Sequence, residues 1–132
     1  MIFMSLTERT AKHLDNLVLN YSKSSGVLLL VSGGSCLEVV NELKDCWNGK
    51  VTLGVVDERY SMDLNVSNFG QMKNLPFWKN VIRNRCSVIN TEIREGETLG
   101  AAAARMEKQW KNSYISAVIL LIAGCLDETQ NE

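Results

Sequence analysis

The stretch Gly26–Val40, GVLLLVSGGSCLEVV, decides the fold of this chain. Residues Val27–Val31 form an unbroken aliphatic run, which is typical of strands buried on both faces of a parallel sheet. A small polar turn follows, and its two glycines let the backbone bend sharply and present bare N–H groups. The stretch therefore predicts a strand, a turn and a helix in that order.

The turn at residues 32–35 is the first candidate binding site. Ser35 and Glu38 fit a capping box, which predicts a helix that begins there with the positive end of its dipole over the turn. Gly33, Gly34 and Ser35 would then hold an anion, and a phosphate is the natural occupant. The sequence Gly-Gly-Ser also forms ordinary tight strand-to-helix turns, so both interpretations stay open.

Composition excludes several classes of protein. The chain has 132 residues, 45% of them hydrophobic and 22% charged, with a net charge of -1, so it has no general attraction to nucleic acid. No apolar run reaches the ~20 residues of a membrane span, and the first residues, MIFM, lack the features of a signal peptide. We therefore expect a cytoplasmic protein without nucleic acid or membrane partners.

The four cysteines are dispersed and the chain has a single histidine. This pattern predicts neither a zinc site nor a disulfide framework. No metal and no cofactor is therefore expected.

The rest of the chain alternates helical and strand patterns. Helical spacing predicts helices over 6–21, over 35–47 and from 97 onward, and aliphatic runs predict strands over 51–56, 86–90 and 115–123. This alternation predicts one α/β domain over residues 1–132, a three-layer sandwich with a mainly parallel, Rossmann-like sheet. The strand at 27–31 should be central and lie beside the strand at 51–56.

Charged residues follow the second predicted strand, in the sequence Asp57-Glu58-Arg59-Tyr60. Ligands bind at the carboxyl ends of the strands in open parallel sheets, so this segment and the glycine turn would face one crevice. Arg59 could hold a phosphate or carboxylate with two hydrogen bonds. The alternative is a solvated turn whose charges pair with one another.

A basic segment follows. Residues 64–91 contain no acidic side chain but include Lys73, Lys79, Arg83 and Arg85. The segment would favour an anionic ligand nearby, or it forms a basic solvent-facing surface.

Taken together, these motifs resemble the 6-phosphogluconolactonase family, whose superfamily includes glucosamine-6-phosphate isomerase/deaminase. The motifs are SGGS after the first strand, DERY after the second, Ser67-Asn68, a helix near EGETLGAAAA and the strand ILLIAG. The resemblance covers residues 1 to about 124, which corresponds to the N-terminal half of the family's domain. It implies a sheet truncated after its fourth strand.

The resemblance implies hydrolysis of 6-phosphogluconolactone to 6-phosphogluconate in the pentose phosphate pathway, with a small phosphorylated sugar or lactone as the ligand. Gly33, Gly34 and Ser35 would take the phosphate. Arg59 would contact the phosphate or the sugar, and Asp57 and Asn68 would line the sugar site.

The chain departs from the family at the residue that activates water. The family carries a histidine in a Gly-x-Gly-x-Asp-Gly-His segment after the fourth strand, and this chain has Glu128 and Thr129 where that Gly and His belong. Water attack on an ester at neutral pH needs a proton acceptor, and a carboxylate serves only when burial makes it more basic. Asp57, or Glu58 beside it, is the candidate that remains, and we expect this chain to be catalytically inactive.

Two further interpretations stay open. The chain is either a non-catalytic module that binds a sugar phosphate, or an enzyme similar to the glucosamine-6-phosphate deaminases and isomerases. Ser67-Asn68 and the missing histidine disfavour the second of these.

The predicted strand at 115–123, ISAVILLIA, raises a question of burial. An apolar parallel strand of this kind needs cover on both faces. We therefore expect the chain to self-associate through this strand region.

Overall fold

The computed structural model of the protein describes residues 4–58, 61–63, 65–111 and 115–122. Five helices and four strands alternate along these residues. In chain order they are α1 (Leu6–Ser22), β1 (Val27–Val31), α2 (Ser35–Asn41), β2 (Val51–Val55), α3 (Asn68–Lys73), α4 (Trp78–Arg83), β3 (Ser87–Val88), α5 (Leu99–Lys111) and β4 (Ala117–Leu121).

The four strands form one parallel sheet in the order β3-β2-β1-β4. Leu29 of β1 lies opposite Leu53 of β2 on one side and Ile119 of β4 on the other. This confirms the predicted α/β fold, the central place of β1 and its parallel pairing with the second strand. Strand β1 has the predicted bounds, and the other three strands are shorter than predicted. Strand β2 ends at Val55, β3 has two residues and β4 begins at Ala117.

Helix α1 begins where its sequence predicts. The Ser5 hydroxyl accepts a hydrogen bond from the Glu8 amide at 3.1 Å, which satisfies one of the free N–H groups of the first turn. The helix packs its apolar residues, among them Leu14 and Val18, into the main core together with α2 and one face of the sheet.

Helix α2 is shorter than predicted, since it ends at Asn41 instead of reaching residue 47. Asp15 explains the difference. Its buried carboxylate accepts hydrogen bonds from the Asp45 amide at 3.0 Å and the Cys46 amide at 2.8 Å. A continued helix would commit those amides to carbonyls one turn earlier. Trp47 is nevertheless buried, so the apolar spacing reflected burial and not helical structure.

Helix α5 buries little of its surface among the described residues. Ala102 is its buried residue, whereas Leu99 and Trp110 are exposed. Arg105 fixes the helix to the preceding loop, because its guanidinium donates to the Glu97 carboxylate at 2.9 and 3.0 Å and to the Asn90 carbonyl. The hydrogen bond from Arg105 holds the pKa of Glu97 well below its ordinary value, at about 2.

Strand β4 is not buried on both faces as predicted. Ile119 and Leu121 pack against the main core, but Val118, Leu120 and Ile122 are 55%, 52% and 60% exposed. The sheet face that these three side chains share is therefore partly open to solvent in the described part of the chain. None of the described helices is long and apolar enough to cross a membrane.

We predict that the chain self-associates through β4, because half-exposed aliphatic side chains on an edge strand gain free energy when a second surface covers them. Leu120→Lys should shift the light-scattering mass towards that of one chain. Ile82→Lys is the control, since Ile82 is equally apolar and 61% exposed but lies on α4. A monomeric wild-type chain at micromolar concentration would contradict the prediction.

Candidate functional site

The candidate site lies where β1 and β2 end at the same edge of the sheet. After β1, the Ser32 amide donates to the Leu121 carbonyl at 3.1 Å, and after β2 the Val56 amide donates to the Val31 carbonyl at 2.9 Å. These two hydrogen bonds extend the sheet pairing just past the strands. The chain then leaves the sheet on both sides of one crevice, as the parallel order requires.

The first wall of the crevice is the loop from Ser32 to Gly34. Gly34 has a φ of 66°, a left-handed conformation that favours glycine, and it is the residue before the first turn of α2. The predicted capping box at Ser35 is therefore wrong. Ser35 is already helical, and the helix begins without a side-chain cap because the left-handed glycine makes the turn.

The amides of this loop are open. Within the described part of the chain, the backbone N–H groups of residues 33–36 donate no hydrogen bond, while the Gly34 carbonyl accepts one from Leu37 at 3.0 Å. Successive free amides at a turn into a helix form a concave set of donors, which favours a negatively charged or strongly accepting group.

The second wall comes from α3, and it touches the first. A Cβ atom on Gly33 would lie 2.4 Å from Oδ1 and 2.8 Å from Cγ of Asn68. Only glycine allows the Asn68 side chain to lie this close to the loop backbone. The structure thus brings Gly33 and Asn68, two residues predicted to belong to one site, into direct contact.

The segment after β2 holds Asn68 in place. The Asn68 side-chain amide donates to the Asp57 carbonyl at 3.1 Å, and its backbone N–H donates to Oε1 of Glu58 at 2.7 Å. Asp57 has a φ of 55°, and this left-handed turn directs its carbonyl and the next side chain towards α3. The Asp57 side chain is exposed to solvent.

The sequence placed Glu58 at the end of the second strand but did not predict the hydrogen bonds that it makes. Besides Asn68, its carboxylate accepts hydrogen bonds from the Phe69 amide at 2.9 Å, the Ser67 hydroxyl at 3.1 Å and the Thr91 hydroxyl at 2.6 Å. It thereby places a negative charge at the N-terminus of α3. The sequence carried one signal for this arrangement, because Ser67 precedes a helix and caps it at Gly70.

The remaining predicted site residue, Arg59, lies outside the described residues. Most basic side chains of the segment 64–91, which were predicted to favour an anionic ligand, lie away from the candidate site. Lys73 pairs with Glu92 at 2.6 Å, and Arg83 and Arg85 precede β3. Residues that enter a parallel strand lie at the amino edge of the sheet, which is opposite the candidate site.

A cleft of about 540 Å³ adjoins the loop at Gly34. Its lining includes the carboxylates of Glu8, Glu38 and Glu42 and the amides of Asn41 and Gln71. No basic side chain lines it among the described residues. The cleft therefore offers acceptors for hydroxyl or amino groups of a ligand.

Two cysteines are poor candidates for nucleophiles. Burial raises the pKa of the Cys86 thiol to about 11, and it raises the pKa of Cys46 far above its ordinary value. Both stay protonated at neutral pH, and the thiolate is the reactive form. Among the described residues, no group of three or more His, Cys, Asp or Glu side chains is arranged to hold a metal ion.

Comparison with known proteins identifies no family. The chain matches no protein-family model, and no curated protein matches it. The 6-phosphogluconolactonase resemblance consequently depends on the ordered motifs alone.

We predict that Gly33→Ala destabilises the protein by about 1–3 kcal/mol, because the new methyl group overlaps the Asn68 side chain. Urea unfolding measures the change. Adding Asn68→Ala should recover most of the loss, since it removes the overlapping atoms, and this double-mutant cycle isolates the contact. Gly100→Ala is the control because nothing lies within 4 Å of its added Cβ. Purely additive effects in the cycle would contradict the prediction.

Proposed function

We propose that the chain binds a small phosphorylated sugar or lactone at this site, as a 6-phosphogluconolactonase-like protein, and that it does so without hydrolysing the ligand. The observation that carries the proposal is that the Asn68 side chain contacts Gly33 and also donates a hydrogen bond to the Asp57 carbonyl. Three residues that the family resemblance assigns to one ligand thus meet at one edge of the sheet.

The open amides of residues 33–36 are the donors for the phosphate in this proposal. Backbone N–H groups at the start of a helix donate hydrogen bonds to an anion without side-chain rearrangement. The sugar would extend from the loop past Asn68, and its hydroxyl groups would meet the acceptors of the adjoining cleft, Glu38 among them.

The described residues support binding better than catalysis. His13, the single histidine, is exposed on α1 and does not line the cleft at Gly34. Asp57 is exposed, and Glu58 already accepts four hydrogen bonds from protein groups. A general base must hold a free acceptor within reach of the attacking water, whereas His13 lies away from the cleft and the Glu58 oxygens already face protein donors.

We expect 6-phosphogluconate to shift the amide NMR resonances of residues 33–36, because the phosphate would engage N–H groups that have no acceptor in the described chain. Arg59→Ala should weaken binding by about 1.5–3 kcal/mol if the contact is charge-assisted. Lys79→Ala is the matched control, since Lys79 is an exposed cation on α4. Unchanged resonances at millimolar ligand would refute the binding site.

The 132-residue chain should hydrolyse 6-phosphogluconolactone no faster than buffer does. The reason is that the residues described by the structure offer no suitably placed base, so the rate should not respond to Asp57→Asn. A pH-stat assay measures the reaction, with Glu95→Gln as a control for loss of an exposed carboxylate. Turnover above the buffer rate that Asp57→Asn abolishes would overturn this part of the proposal and assign the base to Asp57.

A further inference from the structure

A single carboxylate connects the end of β2 to the candidate site. Glu58 accepts hydrogen bonds at Oε1 from the Asn68 amide and at Oε2 from the Phe69 amide. The same Oε2 accepts the hydroxyl protons of Ser67 and Thr91. These donors come from the start of α3 and from the segment after β3, so one side chain joins two distant parts of the chain.

The geometry at Asn68 shows what this carboxylate does for the site. Asn68 is held at its backbone by Glu58 and at its side chain by the Asp57 carbonyl. Two adjacent residues thus fix both the position and the rotation of one side chain. The side-chain carboxamide of Asn68 lies against Gly33 as a consequence. A shift of the helix start by a fraction of an ångström would change how that amide meets the loop.

We infer that Glu58 is a positioning residue, which sets the Asn68 side chain against the loop and so determines the shape of the ligand site. This inference rests on the proposed function where it concerns ligand affinity. It stands on the hydrogen bonds alone where it concerns the placement of Asn68.

The positioning role depends on the negative charge of Glu58 and on its two acceptor oxygens. Each Glu58 oxygen faces at least one N–H or O–H donor, so both must be acceptors. A glutamine has the same shape but presents an NH₂ group at one of the two positions, where donor would face donor. An aspartate keeps both acceptors on a shorter side chain. Glu58→Gln should therefore disturb Asn68 more than Glu58→Asp does.

The test compares Glu58→Gln, Glu58→Asp and Glu107→Gln, the last being a control for an exposed carboxylate of α5 that pairs with Lys111 at 3.1 Å. In Glu58→Gln we expect faster hydrogen exchange at the Asn68 and Phe69 amides and a shift of the Asn68 side-chain resonances, with the amides at the end of α3 still protected. Glu58→Asp should restore part of this protection, and Glu107→Gln should leave it unchanged.

Affinity supplies the second measurement. Glu58→Gln should weaken 6-phosphogluconate binding about tenfold, which is the scale of one lost charge-assisted hydrogen bond. In the Asn68→Ala background the same substitution should cost little, because Glu58 acts through that side chain. A purely structural role predicts lower stability with unchanged affinity of the folded protein, and that result would overturn the inference.

The two proposals fail in distinguishable ways. If the wild-type chain does not bind 6-phosphogluconate, the proposed function fails, and exchange at Asn68 still decides whether Glu58 positions it. If the wild type binds and Glu58→Gln leaves both Asn68 and the affinity unchanged, only the positioning role fails. Thr91→Val replaces Glu58→Gln if that variant does not fold, since it removes one donor to Oε2 and should produce a smaller change at Phe69.

Discussion

The parallel hydrogen bonding of β1 to strands on both sides is the constraint on which the rest of the structure depends. Val27 lies opposite Val51 and Ala117, and the register continues without interruption to Val31. Every crossover between these strands must return to the amino edge before the next strand begins, so helices have to cover the sheet. The same rule sends the loop after β1 and the turn after β2 to one edge. The candidate site follows from the connectivity and needs no further folding event to bring its walls together.

Two carboxylates then set details that the sheet leaves open. Asp15 binds the amides of Asp45 and Cys46, and Glu58 binds the amides of Asn68 and Phe69. In each case the carboxylate and the amides it binds belong to different segments of the chain. Buried amides without an acceptor are costly, so each pairing stabilises one local path of the backbone over its alternatives. The hydrogen bonds of Asp15 end α2 before residue 47, whereas those of Glu58 satisfy amides at the start of α3.

The sequence was sufficient for the parts of the structure that depend on local pattern. The aliphatic runs predicted β1 and β2 and their parallel order, and with it that the chain leaves the sheet at one edge after both strands. The length of α2 could not be predicted, because an acceptor 30 residues away removes the amides that would continue the helix. The role of Glu58 was hidden for the same reason. Four of its hydrogen bonds come from residues that lie 9 to 33 positions away.

The balance of charge around the loop bears on the kind of ligand that the site can favour. The open amides of residues 33–36 attract an anion, but Glu38 lies in the first turn of α2 and Glu8 and Glu42 line the adjoining cleft. These three side chains are exposed, so water and salt screen the repulsion, but it still opposes an anion that brings no hydrogen-bond donors of its own.

A bare phosphate ion would therefore gain little free energy among the described residues. A phosphorylated sugar differs because its hydroxyl groups donate hydrogen bonds, and the same carboxylates accept them. Under the proposed function, the carboxylates of the cleft repel the phosphate but bind the hydroxyl groups of the sugar, so the cleft is the part of the site that recognises the sugar. Recognition would then depend on where the hydroxyl groups lie relative to the phosphate, with Asn68 at the boundary between the two regions.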